Sequence, residues 1–262
     1  SNVMSFIARA NVPLSVTVTA VTTLLAPLLT PALLSLLAGQ FLPIDFWKMV
    51  IEISNMVILP IIAGLMFNLF AYGRESAKRM WIQIAVFVSL ILLRNAVVSR
   101  TGGEFWPGVL TDALWFLLLP VAAAWLFKVA AKGRKDWLDD ALSVVSKVGI
   151  ALIITVITAA GRDSLLQIGL LLIVSCLIHN LAGYTLGYWS ARLFGLDEQS
   201  CRTVAIEVGM QNGGLASGLA LQMGKVATVG LAPAVFGPMM NITGSSLATW
   251  WRSHPPKILS EP

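Results

Sequence analysis

The chain has 262 residues, of which 57% are hydrophobic and 12% charged, and its mean hydropathy is +0.81. A soluble domain carries about 25% charged residues, so this composition excludes an ordinary soluble fold and makes length a question of bilayer crossings, at about 20 apolar residues each. The net charge of +5 does not mark a nucleic-acid partner, because the basic residues gather between apolar runs, as short cytoplasmic loops require.

Residues 2–10 form an apolar stretch too short to span. Asn11 can cap a new helix with Pro13 in its first turn, where a missing N–H costs little. Residues 12–37 carry no charge and can span, with Pro27 and Pro31 expected to kink the helix. Residues 44–70 follow, charged only at the start (Asp45, Lys48, Glu52). After a basic loop come spans at 81–99, carrying Arg94, and at 108–131. A second basic loop leads to residues 141–160, then to the polar turn Arg162-Asp163. Residues 164–191 span with one polar pair inside, His179-Asn180, and a lone His in such a setting reads as packed and hydrogen-bonded or as a proton relay. Residues 203–224 carry Glu207 and a Gly-rich break. Residues 226–251 are uncharged and end in Trp250-Trp251, expected to anchor at the interface. These amount to eight full spans and a half-span, spaced unlike the alternating segments of about 10 residues in a β-barrel. Cys176 and Cys201 define neither a disulfide framework nor a metal site.

With the C-terminus placed in the cytoplasm, alternation puts most basic residues inside, including Arg74, Lys78, Arg79, Lys132, Arg134 and Lys135. The outside regions then hold Lys48, Arg94, Arg100, Arg162 and Lys225. This asymmetry follows the positive-inside rule.

Residues 206–218 read IEVGMQNGGLASG. A carboxylate near mid-membrane costs about 2.5 to 3.5 kcal/mol even on the insertion scale. Glu207 therefore needs a partner, a proton or a cation, and no basic residue lies within one turn of it. Gly209, Gly213 and Gly214 invite a helix break, and freed carbonyls are tolerated in a membrane only where buried or lining a polar cavity. Together with Glu207, Gln211 and Asn212 they make an oxygen-rich set suited to a hard cation. The bland alternative is a neutral Glu in a close-packed bundle. Ser15 and Thr19 share one helix face, although such hydroxyls also bond back to their own helix.

An order of features recurs. Ser1-Asn2 is followed by a short apolar half-helix, a turn and a long span containing LAPLLTP (25–31). Gln211-Asn212 is followed by a short half-helix, a turn at Gly224-Lys225 and a long span containing LAPAVFGP (231–238). In the orientation above the two half-helices run in opposite directions, the pattern of an inverted repeat.

NVPLSVTVTAVTTLLAPLLTP (11–31) and AIEVGMQNGGLA (205–216) resemble the two signature regions of the bile acid:sodium symporter (BASS) family. The resemblance covers nearly the whole chain outside residues 75–135. It implies an all-α, polytopic membrane protein with a partial inverted-repeat transporter fold and broken, crossing helices. Residues 1–37 are then the end of the first repeat, 44–70 and 141–160 panel-type helices, 81–131 an extra two-helix hairpin, and 164–251 the core helices of the second repeat. One sodium site would use Ser1, Asn2, Ser15, Thr19 and Glu207. The other would use Glu207, the carbonyls of Val208 and Met210, and Gln211, with a further ligand from an earlier helix. Asn212 and Asn241 would face a small organic anion (bile-acid-like, pantoate-like or keto-acid-like), helped by half-helix N-termini. Met240 stands where many members carry His.

The expected activity is sodium-coupled symport by alternating access, with Na⁺ as the coupling ion, no other cofactor and no enzymatic reaction. The partners are the anion, sodium and the lipid bilayer, without nucleic acid, and the oligomeric state is open. The alternatives are a proton-coupled carrier, with Glu207 as proton carrier, and a non-transporting or channel-like protein. The expected location is the bacterial inner membrane. The chain begins as if inside a helix, without Met, so an N-terminal part of a longer protein is expected to precede it.

Overall fold

A computed structural model describes residues 1–39, 44–72, 77–100, 102–130 and 135–255. Every regular element among them is helical: α1 Asn2–Ile7, α2 Val12–Ala38, α3 Phe46–Tyr72, α4 Ala77–Arg100, α5 Phe105–Ala113, a π-helical turn Leu114–Leu118, α6 Leu119–Ala130, α7 Lys135–Ala160, α8 Arg162–Leu193, α9 Glu198–Gly209, α10 Gly213–Gln222 and α11 Leu231–Ser253. Six stretches are long and apolar enough to cross a bilayer: α2, α3, α4, the joined rod from Phe105 to Val129, α7 and α8. Large apolar side chains such as Leu170, Leu171, Ile178 and Leu186 on α8 lie exposed, where lipid rather than water solvates them. The protein is an all-α, multi-pass integral membrane protein.

These six correspond to six of the eight spans expected from sequence. Residues 203–224 divide into the two short helices α9 and α10. The helix expected from residue 226 begins at Leu231, after turns at 226–230, and Asn241, Thr243, Ser245 and Ser246 lower its hydropathy. Pro27 and Pro31 sit inside one unbroken α2.

The chain divides into two compact units, Ser1–Leu24 with Val148–Pro262, and Leu25–Lys147. In the second unit, Leu59, Ile62 and Met66 of α3 pack against Phe87 and Ile91 of α4, and Ala71 packs with Ala124 and Phe127. Its polar centre was not foreseen. Arg94, counted from sequence among the outside charges, lies within α4 and pairs with Asp112 of α5 at 2.6 Å. Arg94 Nε also donates to Asn55 Oδ1 of α3 at 3.0 Å. The fully buried Asn95 donates to Asp112 Oδ2 at 2.7 Å. The π-helical turn starts two residues after Asp112, and such turns mark places where a helix is adjusted to fit a neighbour.

In the first unit, Asn11 caps α2 by accepting from Leu14 N at 3.0 Å, and its carbonyl accepts from Thr203 Oγ1 of α9 at 3.0 Å. Arg9, in the turn before it, adopts a positive φ of 53°. Asp197 caps α9 by accepting from Ser200 N at 2.8 Å. The helices α8 and α9 approach closely because Gly183 and Gly187 face α9. A Cβ on Gly187 would lie 2.9 Å from Val204 O and 3.0 Å from Ala205 Cα. This is the small-xxx-small spacing that lets membrane helices touch backbone to backbone. Arg202, 5% exposed, donates to the carbonyls of Trp251 at 3.1 Å and His254 at 2.8 Å, so its guanidinium closes the C-terminal end of α11. Trp251 is buried against Ala205, Ile206 and Ala248 under that guanidinium. Trp250 is exposed, so the expected two-Trp interfacial anchor reduces to Trp250.

Candidate functional site

The helix carrying Glu207 stops at Gly209 and resumes at Gly213. Met210 is extended, with φ −93° and ψ 95°, and Asn212 caps the second half by accepting from Leu215 N at 3.0 Å. The glycines thus do what their helix propensities predict. The break removes the next turn's N–H groups from the carbonyls before it. Gly209 O is recovered by the buried Asn180, whose Nδ2 donates at 2.9 Å. Among the described residues, the carbonyls of Val208 and Met210 accept no hydrogen bond.

Glu207 meets two other segments of the chain. Ser15 Oγ donates to Glu207 Oε1 in a very short contact and lies 2.7 Å from Asn2 Oδ1. Thr19 Oγ1 lies 2.9 Å from Glu207 Oε2 and 3.3 Å from Asn2 Oδ1. Ser15 is fully buried, and Asn2, Thr19 and Glu207 are half-buried. Neighbouring hydroxyls show the alternative: Thr17 bonds back to Pro13 O at 2.9 Å and Thr22 to Val18 O at 2.8 Å. Ser15 and Thr19 instead face Glu207.

The proton count in this cluster is informative. Four oxygen–oxygen contacts join the two hydroxyls to Asn2 Oδ1 and Glu207, but each hydroxyl has one proton to donate. With Glu207 ionised, two close oxygen pairs have no proton between them. A cation among these oxygens removes that repulsion, and a proton on Glu207 supplies one of the two missing protons. Rotating the Asn2 amide would put Nδ2 on both hydroxyls and satisfy the cluster without an ion, so a cation requires the Oδ1-facing orientation seen here.

The remaining expected site residues are placed as follows. Ser1 precedes α1 without a side-chain capping bond; its carbonyl accepts from Ser5 N at 2.9 Å, and no hydrogen bond joins it to the cluster. Gln211 does not reach Glu207 by a hydrogen bond; its Nε2 lies 2.7 Å from His179 Nε2. Asn212, with His179 and Gln211, lines a cavity of about 320 Å³ walled by Cys176, Ala216 and Phe236. Asn241 is exposed and bonds back to Gly237 O at 3.0 Å, outside that cavity's lining.

Sequence reasoning passed over a second buried chain. Thr243 Oγ1 donates to Asn180 Oδ1 at 2.5 Å, and Tyr184 Oη donates to Met240 O at 3.3 Å. The available signal was a buried-type Asn one residue from His179, inside an otherwise apolar span.

Residues 1–104 match the family model described as the Sodium Bile acid symporter family. Over 252 residues the chain is 33% identical to the "Uncharacterized sodium-dependent transporter YocS" of Bacillus subtilis, covering 96% of this chain and 59% of that protein. Over 261 residues it is 28% identical to the "Probable sodium/metabolite cotransporter BASS1, chloroplastic" of Arabidopsis thaliana, covering 100% of this chain and 50% of that protein. It is also 29% identical over 138 residues to the "Uncharacterized protein YbaS" of B. subtilis, covering 49% of this chain and 44% of that protein. The chain thus spans about half the length of the relatives it matches along nearly its whole length, from 45% to 59%. Its signature segments, its apolar helices and these matches agree in their likeness to the sodium bile acid symporter family.

Proposed function

We propose that the chain forms the ion-coupling part of a sodium-driven symporter for a small organic anion. The carrying observation is the oxygen cluster of Asn2, Ser15, Thr19 and Glu207, drawn from three segments of the chain. It offers hard ligands and one carboxylate, the set a sodium ion takes, at a broken helix, where secondary transporters hold their ions. Val208 O and Met210 O, with Gln211 Oε1, offer a second oxygen set that shares Glu207. The names of the relatives, sodium-dependent transporter and sodium/metabolite cotransporter, support sodium as the coupling ion. The anion would meet the N-terminus of α10, where Asn212 and the first free N–H groups give a positive end. In this reading the 81–131 segment is an additional hairpin, and 44–70 and 141–160 are panel-type helices. The basic loops support a cytoplasmic C-terminus, and the expected location is a bacterial inner membrane.

Alternating access follows by linkage. Sodium organises the segment around Glu207, the organised segment takes the anion, and the two leave together on the low-sodium side. Uptake of labelled bile acids, pantoate and keto-acids by cells expressing the full-length protein, in sodium or choline medium, tests this. Sodium-stimulated uptake is expected for at least one class, and Glu207→Gln is expected to abolish it. Undiminished sodium-dependent uptake in Glu207→Gln would sink the proposal. Uptake that follows pH but ignores sodium supports the second reading, a proton on Glu207, which supplies one of the two missing protons in the oxygen cluster.

A further inference from the structure

The His179-Asn180 pair on α8 touches both ends of the helix break. Asn180 Nδ2 donates to Gly209 O, and Thr243 holds Asn180 Oδ1, which leaves Nδ2 directed at the break. His179 Nε2 lies 2.7 Å from Gln211 Nε2. An amide nitrogen only donates, so this His nitrogen accepts, with its proton on Nδ1. The imidazole ring packs against Phe236 at 5.6 Å between centroids, which restrains its orientation. The two neighbours therefore act on different atoms. Asn180 occupies the one carbonyl at Gly209, while Val208 O and Met210 O stay without a hydrogen bond. His179 occupies the nitrogen of Gln211, so the Oε1 of that amide is the atom left for a ligand. An amide presents either oxygen or nitrogen to a given point, and a cation accepts only the oxygen.

We propose that His179 and Asn180 are positioning residues that sort the donors and acceptors at the break, leaving only oxygens for a second sodium ion beside Glu207. The proposal rests on the sodium-symport reading above. It assigns His179 neither a proton-transfer role nor direct contact with the ion. Such partners in the layer behind metal ligands commonly change affinity by about 10–100-fold.

The test is a sodium titration of the thermal stability of the full-length protein in detergent, with choline chloride holding ionic strength constant. His179→Ala is expected to raise the half-saturating sodium concentration about tenfold, with sodium-free stability unchanged. His179→Gln, whose Oε1 accepts at nearly the reach of imidazole Nε2, is expected to return it to within about threefold of the original. Thr243→Val, which frees Asn180 Oδ1 without altering side-chain shape, is expected to raise it by a smaller factor. A purely packing role would lower sodium-free stability in His179→Ala and leave the half-saturating concentration where it was. That outcome overturns the proposal, as does failure of His179→Gln to recover sodium affinity. If Glu207→Gln loses the sodium response while His179→Ala keeps it unchanged, this proposal alone falls. If the unsubstituted protein shows no sodium response, the symport reading falls with it.

Discussion

Arg94→Met removes the only cation facing Asp112 among the described residues. Asp112 is 5% exposed and would keep one donor, Asn95 Nδ2, at 2.7 Å. Breaking a buried pair from one side costs about 3–5 kcal/mol, because the remaining charge stays uncompensated. The Arg94 side chain retains 20% of its exposure, so the low end, about 3 kcal/mol, applies. For a chain of this size about 2 °C accompanies each kcal/mol, so the unfolding temperature in detergent should fall by about 6 °C. Asn55 also loses the Nε donor, which makes this a lower bound. The double change Arg94→Met with Asp112→Leu removes both charges and should recover most of the loss, since apolar replacement of a buried pair is often neutral. The assay is a thermal ramp read by the monodisperse fraction on size exclusion, for both single variants and the double. If Arg94→Met is no less stable than the double variant, the pair carries no coupling and the reasoning fails.

Two smaller effects follow from local geometry. Gly187→Ala should destabilise by about 1–3 kcal/mol through overpacking against α9 backbone; Gly64→Ala, with open space around it, should be neutral or better, and thermal ramps of the two variants compare them directly. Hydrogen bonds from Ser200 hold the Asp197 carboxyl below the usual carboxylate range. Because its folded value is lowered, this cap contributes above the unfolded Asp value of 3.8 and is lost as pH falls through the lower folded one. Asp197→Asn should keep the cap and lose that pH dependence, whereas Asp197→Ala should lose about 1 kcal/mol at neutral pH, both read from unfolding temperature against pH.

The break at Gly209–Gly213 was legible because three poor helix formers beside a carboxylate leave few alternatives. The face shared by Ser15 and Thr19 was legible as geometry, but which hydroxyls would bond back was not: Thr17 and Thr22 have the same chemistry and differ only in what α9 brings near. Gln211 reads as a free oxygen donor in sequence, and its pairing with His179 depends on how α8 lies against the break. The Arg94–Asp112 pair was hidden because each charge looks like an isolated irregularity of its own span, and only the turn between α4 and α5 sets them face to face. Trp251 was misplaced because residue type suggested an interface, while Arg202, too distant in sequence to weigh, covers its ring.

The oxygen cluster joins positions 192 and 188 residues apart in the chain. On the proposed reading, a cation held there would work as a reversible staple across that interval, shut or open according to the salt on whichever side it faces. Near saturation, each tenfold change in sodium alters the tendency to stay shut by about 1.4 kcal/mol. The ion gradient across the bilayer would then be read by the polypeptide as a difference in its own cohesion. The same three segments would be clasped on entry and slack on exit, with no further moving part.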